Sequence, residues 1–558
     1  MEKSEVSYAR SAYKPKLPKG LQGAVQIQEG EKAEPETDKA EIKKLFPNTY
    51  GMPLVKFVAG EEPKCEPFNV GVLLSGGQAP GGHNVICGIF DEIKKLNKDS
   101  RLFGFLMGPG GLIKQNYKEL TLDIIDQYRN TGGFDMIGSD RTKLETKEQF
   151  ESAIDILHKL ECRALVIVGG DDSNTNAAVL AEYCQEHNTG IQIIGVPKTI
   201  DGDVKNKYID VSFGFDTATK VYAQLVGNIE RDTKSSQKYW HFIKLMGRSA
   251  SHIALECALQ THPTVCLISE EVQANEYTLN EIVNYIAGIV ADRASRGMNY
   301  GVVLVPEGLI EFIPAIGKLI SELSDLLAKH AKDYKDLGKN GLKEYIMSHL
   351  TKDSADAFEL LPDDVAYQLA MVRDPHGNVP VSQVETHIML AHMVNARLQV
   401  LKREDRYNGS FSTQFHFFGY EGRCANPTNY DADYCYSLGI CAAQLVANGK
   451  NGYMACVDNT ADLNVDNWVG GGIPLSMLLN MEKRNGKMKP VIKKTLVDLN
   501  GAPFKKFVQN RDKWAKETCY TYPGPIQYWG PPSACDRKTK TLKLEHEAGQ
   551  DASDLAKK

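Results

Sequence analysis

Val70-Gly71-Val72-Leu73-Leu74-Ser75-Gly76-Gly77-Gln78-Ala79-Pro80-Gly81-Gly82-His83-Asn84 runs from an unbroken apolar stretch into a glycine-rich loop, ahead of a helix-like segment from about Val85 to Leu96. An apolar run without polar alternation is what a strand buried on both faces requires, and such strands belong to parallel sheets covered by helices. Outward from it the same signal recurs at Leu102–Leu106, Ala164–Val168, Ile191–Val196, Trp240–Leu245, Val265–Ile268 and Val302–Val305. Between these runs lie helical patterns such as Phe150, Ile154, Leu157 and Leu160, which share one helix face. Strand and helix in regular alternation predict a doubly wound α/β architecture.

The chain has 558 residues, which at about 150 per domain excludes a single small binding module. With 42% hydrophobic and 24% charged residues it has the composition of a globular protein. Sixty-five basic against 71 acidic side chains leave a net charge of -6, which argues against nucleic-acid or membrane-surface binding by the whole chain and leaves room for a local anion site. Twelve cysteines are scattered with no Cys-x-x-Cys spacing, the closest pair being Cys435 and Cys441, so a reducing, cytoplasmic setting is expected. The start lacks an apolar leader, and the long uncharged stretches are too short or too broken to span a bilayer.

Residues 1–65, rich in Lys, Glu and Pro, read as an extension that packs on a neighbour or stays mobile. After Pro306-Glu307-Gly308 the pattern turns helical for about a hundred residues, as in Ile316, Leu319, Ile320, Leu323 and Leu326, which predicts a helical insert over about 309–405. The tract from Asp536 to Lys558 is polar and expected to fray.

In doubly wound folds ligands bind beyond the carboxyl ends of the strands, so the loops after the apolar runs carry the chemistry. Ser75-Gly76-Gly77-Gln78-Ala79-Pro80-Gly81-Gly82 offers backbone N–H groups to an anion at a helix start, although a tight strand-to-helix turn also needs glycine. Gly169-Gly170-Asp171-Asp172-Ser173 adds two carboxylates, one of which could hold Mg²⁺ beside phosphate oxygens, or a Ser173 or Asp172 that merely caps the next helix. Pro197-Lys198-Thr199-Ile200-Asp201-Gly202-Asp203 gathers a cation, a hydroxyl and two carboxylates, or forms a polar turn. Three such loops after three strands argue together for phosphoryl transfer.

These motifs, with Met246-Gly247-Arg248, Pro306-Glu307-Gly308 and Gly419-Tyr420-Glu421-Gly422-Arg423 in the same order, resemble the phosphofructokinases. More closely, residues 66–490 with the extension and the insert are similar to the long pyrophosphate-dependent 6-phosphofructokinases. The resemblance implies two doubly wound α/β domains. Residues 66–212 with about 425–490 would form a donor domain, 213–424 a sugar-phosphate domain that includes the insert, and 491–558 a C-terminal segment. It also implies reversible transfer of a phosphoryl group from pyrophosphate to the 1-hydroxyl of fructose 6-phosphate, with Mg²⁺.

By the same resemblance Asp201 is the general base, and Asp201, Lys198, Asp172 and Arg248 form the catalytic set. Asp171 is the metal ligand, and Gly76, Gly170, Arg141 and Lys198 meet the pyrophosphate. Thr199, Ile200, Asp201, Asp203, Met246, Gly247, Arg248, Glu307, Tyr420, Glu421, Gly422 and Arg423 fall on sugar-phosphate positions. Lys238 or Tyr239 matches a contact that the family draws from a neighbouring subunit, so a homodimer or higher homo-oligomer with shared active sites is expected. Tyr420 departs from the histidine usual in short ATP-using members.

Two positions select the donor. ATP-using relatives carry glycines where this chain has Asp172 and Lys198. A carboxylate at 172 puts bulk and negative charge in the path of an α-phosphate, and Lys198 can reach into the vacated space and offset it. The alternatives are an ATP-dependent enzyme, a lipid or nicotinamide-nucleotide kinase with a similar Gly-Gly-Asp loop, and a non-catalytic regulatory subunit. The last would show an altered catalytic loop, whereas Lys198, Thr199, Asp201 and Asp203 all stand intact.

Overall fold

The computed structural model describes residues 3–61, 64–329, 339–371, 383–484 and 487–556. Its larger sheet takes β1 (Val25–Lys32), β2 (Pro53–Ala59), β3 (Asn69–Ser75), β4 (Leu102–Phe105), β5 (Tyr117–Glu119), β6 (Ser139–Asp140), β7 (Cys162–Gly169) and β8 (Gln192–Pro197). The chain then builds a second sheet from β9 (Trp240–Leu245), β10 (Val265–Cys266), β11 (Gly301–Pro306) and β12 (Thr413–Phe418), and returns to the first with β13 (Tyr453–Asp458) and β14 (Val469–Pro474). The order across the larger sheet is β1-β2-β14-β13-β8-β7-β3-β4-β5, with β6 beside β3, and across the smaller one β10-β11-β9-β12.

Strands β4, β3, β7, β8 and β13 are parallel neighbours, as are all four of the smaller sheet. Their unbroken apolar sequences follow from burial on both faces. Val70, Val72 and Leu74 of β3, with Val166 and Val168 of β7, enter one core. Leu73, Leu165 and Ile167, pointing the opposite way, enter another. Over the first core, helix Gly82–Leu96 packs on helix Asn429–Ala447 at a backbone contact, where a Cβ on Gly88 would lie 2.3 Å from the Tyr436 carbonyl oxygen.

Two expectations are corrected. The extension is no loose appendage: β1 and β2 pair antiparallel, β2 pairs β14, and Val25, Val55 and Phe57 are buried. The polar tract after Asp536 is not frayed, because helix Lys540–Ala556 docks its start on the buried Glu256, which accepts from the Lys540 and Thr541 N–H groups at 2.7 Å each. Lys557 and Lys558 lie outside the described residues.

The predicted insert is, among the described residues, a series of helices joined by short turns from Leu309 to Arg403, and residues 330–338 and 372–382 lie outside. Its Ile316, Leu319, Leu323 and Leu326 share a core with Trp240 and Val303, so its apolar stripe is covered by its own sheet. Among the described residues no helix is long and apolar enough to cross a membrane.

Candidate active site

The strands β3, β7 and β8 end side by side in Gly76-Gly77, Gly169–Asp172 and Lys198–Asp203, while β9, β11 and β12 end in Met246–Arg248, Glu307 and Tyr420–Arg423. Loops from the two sheets meet. A Cβ on Gly77 would lie 1.9 Å from a terminal nitrogen of Arg423, whose Nε sits 2.7 Å from the Met246 sulfur. The donor loop and the sugar loops therefore form one cleft.

On the donor side Gly76 takes φ +83°, a conformation open chiefly to glycine, and donates its N–H to the Asp140 carbonyl. Helix Asp171–Glu186 starts from Gly170 without a side-chain cap. Ser173 instead donates to the Ser75 hydroxyl at 2.8 Å, so capping does not account for the motif. Asp171 and Asp172 stand in the first turn, where the helix end favours negative charge.

Asp171 is 3.3 Å from the Lys494 ammonium and Asp172 3.8 Å from that of Lys143, two cations the sequence reading missed. Lys494 follows a hairpin of β15 (Leu479–Arg484) and β16 (Lys487–Ile492) rather than a strand of either main sheet, so no strand-to-loop signal marks it. Arg141 is exposed beside β6 but close enough for its charge to act on Lys198.

Lys198 is buried and donates from Nζ to the Gly77 carbonyl at 2.6 Å, 3.3 Å from where a Gly76 Cβ would stand. Burial first, then Arg423 and Arg141, pull its pKa down to about 7, against Asp201 and Asp171. Asp201 anchors its own N–H on the Thr199 hydroxyl at 3.0 Å, and its buried Oδ1 has no hydrogen-bond partner among the described residues. Asp203 is buried and its pKa is pushed up to about 7, by burial and then by Asp201 and Asp171. Ile200 points into the core, so only its backbone faces the loop.

On the sugar side Gly247, at φ +129°, donates its N–H to Glu307 at 2.9 Å. Burial raises the Glu307 pKa, opposed by that N–H and by Arg423 and Lys244. Arg248 is 3.3 Å from Glu311 of the insert's first helix, Leu309–Phe312. Glu421 accepts the Gly419 N–H at 2.7 Å, and Gly422 presses on the Tyr222 ring, where a Cβ would fall 2.6 Å away. Tyr420 is 70% exposed. Lys238 and Tyr239 are not in this cleft: they precede β9 at its far end, roughly 20 Å of strand from Met246.

Residues 69–353 match the sequence profile of the family described as Phosphofructokinase. A relative from Porphyromonas gingivalis named pyrophosphate--fructose 6-phosphate 1-phosphotransferase is 58% identical, over 98% of this chain and 99% of its own. The chain belongs to the phosphofructokinase family. Another phosphofructokinase relative, the subunit beta 1 of pyrophosphate--fructose 6-phosphate 1-phosphotransferase from Arabidopsis thaliana, is 49% identical over 97% of this chain and 94% of its own. The solved pyrophosphate-dependent phosphofructokinase from Marinobacter aquaeolei matches with a TM-score of 0.54 over 85% of this chain and 96% of that one, at 18% identity. That likeness places the two α/β domains within the phosphofructokinase fold.

Proposed function

We propose that this phosphofructokinase transfers a phosphoryl group reversibly between pyrophosphate and the 1-hydroxyl of fructose 6-phosphate, giving fructose 1,6-bisphosphate and phosphate. The observation that carries the reading is Asp201, a carboxylate of the Lys198 loop with one oxygen unpartnered among the described residues, close enough for its charge to act on both Lys198 and Glu307. Asp201 accepts the sugar hydroxyl's proton as that oxygen attacks phosphorus, and returns it in the reverse direction. The backbone at Gly170, with Lys198 and Arg141, holds the donor and offsets charge on the departing phosphate without rearrangement, whereas Gly76, whose N–H is taken by the Asp140 carbonyl, serves by leaving room beside Lys198. Thr199, Asp203, Arg248, Glu307 and Arg423 orient the sugar phosphate, for which an arginine fork is suited.

Among the described residues no three His, Cys, Asp or Glu side chains converge as a complete metal cage. Mg²⁺ does not need one, since it is usually held by one or two carboxylates together with substrate phosphates and water. Asp171 fits that use, as a carboxylate in the first turn of its helix at the end of β7, with Lys494 3.3 Å from one oxygen. When bound there, the ion would neutralise charge between the phosphates.

Asp172 and Lys198, where ATP-using relatives carry glycine, are the reason for assigning pyrophosphate. Support for a cytoplasmic homodimer comes from the scattered cysteines, without Cys-x-x-Cys spacing, and from Lys238 and Tyr239, too far from their own cleft to serve it. The test is phosphorylation of fructose 6-phosphate with Mg²⁺ and either pyrophosphate or ATP. Turnover with pyrophosphate alone is expected; turnover with ATP alone would overturn the donor assignment, and no turnover with either would favour a regulatory subunit.

A further inference from the structure

The segment Ile492–Val497 leaves the hairpin and crosses the cleft as a strap. The Ile492 N–H donates to Thr175 at 3.0 Å on the helix that begins with Asp171. Thr495 donates its N–H to the Asp203 carbonyl at 2.8 Å and its hydroxyl to the Lys205 carbonyl at 2.7 Å. Its own carbonyl is 2.8 Å from His252 Nε2, and Val497 donates its N–H to Glu270 at 3.0 Å, both in the second domain. From the middle of this strap Lys494 sends its ammonium to Asp171 at 3.3 Å and donates to the Ser249 hydroxyl, beside Arg248, at 2.7 Å.

A lysine this far from the motifs, bonded at once to a donor-side carboxylate and to the sugar loop, is more than a surface charge. Its side chain is 32% exposed and Asp171's 21%, so the pair is shielded from much of the solvent that weakens surface ion pairs. It also offsets the negative field of Asp171, Asp172 and Asp203, which would otherwise repel an incoming polyanion. We propose that Lys494 is a positioning residue of the donor site: it fixes the Asp171 carboxylate, ties it to Ser249, and makes the cleft receptive to pyrophosphate. The inference rests on Asp171 serving the donor side, as argued above.

The experiment is calorimetric titration of the full-length protein with pyrophosphate at saturating Mg²⁺, and separately with fructose 6-phosphate. Lys494→Met should weaken pyrophosphate about tenfold or more, change fructose 6-phosphate affinity less than about twofold, and leave the melting temperature within a few degrees. Lys494→Arg should recover most of the loss. Unchanged pyrophosphate affinity in a folded Lys494→Met protein would overturn the proposal, as would equal losses for both ligands, which mark a merely structural strap. Should Lys494→Met fail to fold, Ser249→Ala removes only the tether and should weaken pyrophosphate alone; no change there would equally overturn it. Asp171→Asn run alongside separates the two failures: if it too binds pyrophosphate normally, the donor-side reading of Asp171 is wrong, and if it alone loses binding, only the role of Lys494 falls.

Discussion

Lys198 ties the chemistry of the site to pH. Only its ammonium form offsets charge on the donor, and with a pKa pulled down to about 7 the free protein loses that form as pH rises. The expected result is a kcat/KM for pyrophosphate that falls about tenfold per unit above pH ~7, and a flat alkaline limb in Lys198→Arg, whose guanidinium stays charged. A pH–rate profile of both proteins checks it. Asp201→Asn removes the proton acceptor and leaves the loop's hydrogen bond to Thr199, which comes from the backbone. Its kcat should drop about 10²-fold or more with fructose 6-phosphate binding retained, and near-normal turnover would remove Asp201 from the base role. Asp172→Gly combined with Lys198→Gly should open a path for ATP, which steady-state assays with each donor would detect.

At the scale of elements, two glycines that look equivalent in sequence should behave differently. Gly77→Ala meets the mobile end of Arg423 at 1.9 Å, whereas Gly308→Ala meets the Arg248 carbonyl oxygen of the backbone at the same distance. The first side chain can give way, so stability should hold while fructose 6-phosphate binding suffers. The second cannot, and should destabilise by roughly 1–3 kcal/mol, as overpacking does, readable by denaturant unfolding. The strands and the loops at their ends were legible because burial on both faces leaves an unbroken apolar run, and chemistry sits where the run stops. β1 escaped because it is the edge strand and much of it faces solvent, and β2, paired on both sides, escaped because Lys56 between Val55 and Phe57 dilutes its apolar pattern. Lys494 and Lys143 escaped because what makes them relevant is a contact with a residue far along the chain, beyond a helix and a strand even for Lys143 and Asp172, and one sequence carries no record of contacts.

At the scale of the whole molecule, a cleft built from one end of β9 and a pair of residues at its other end calls for two chains. Mixing Arg248→Ala protein with Lys238→Ala/Tyr239→Ala protein under conditions that exchange subunits should regenerate about a quarter of full activity, because half the pairs are mixed and each mixed pair has one intact site. Mixtures no more active than either parent would argue for a site complete within one chain. The position of β2 beside β14 has another consequence, for synthesis. Val55 and Lys56 find their sheet partners at Gly472 and Gly471, more than 400 residues later. At translation rates of about 5–20 residues per second the N-terminal ribbon waits roughly 20–80 s with one edge open. For that interval the nascent chain carries an unfinished sheet, and its yield in a cell depends on what keeps that edge from pairing with a stranger.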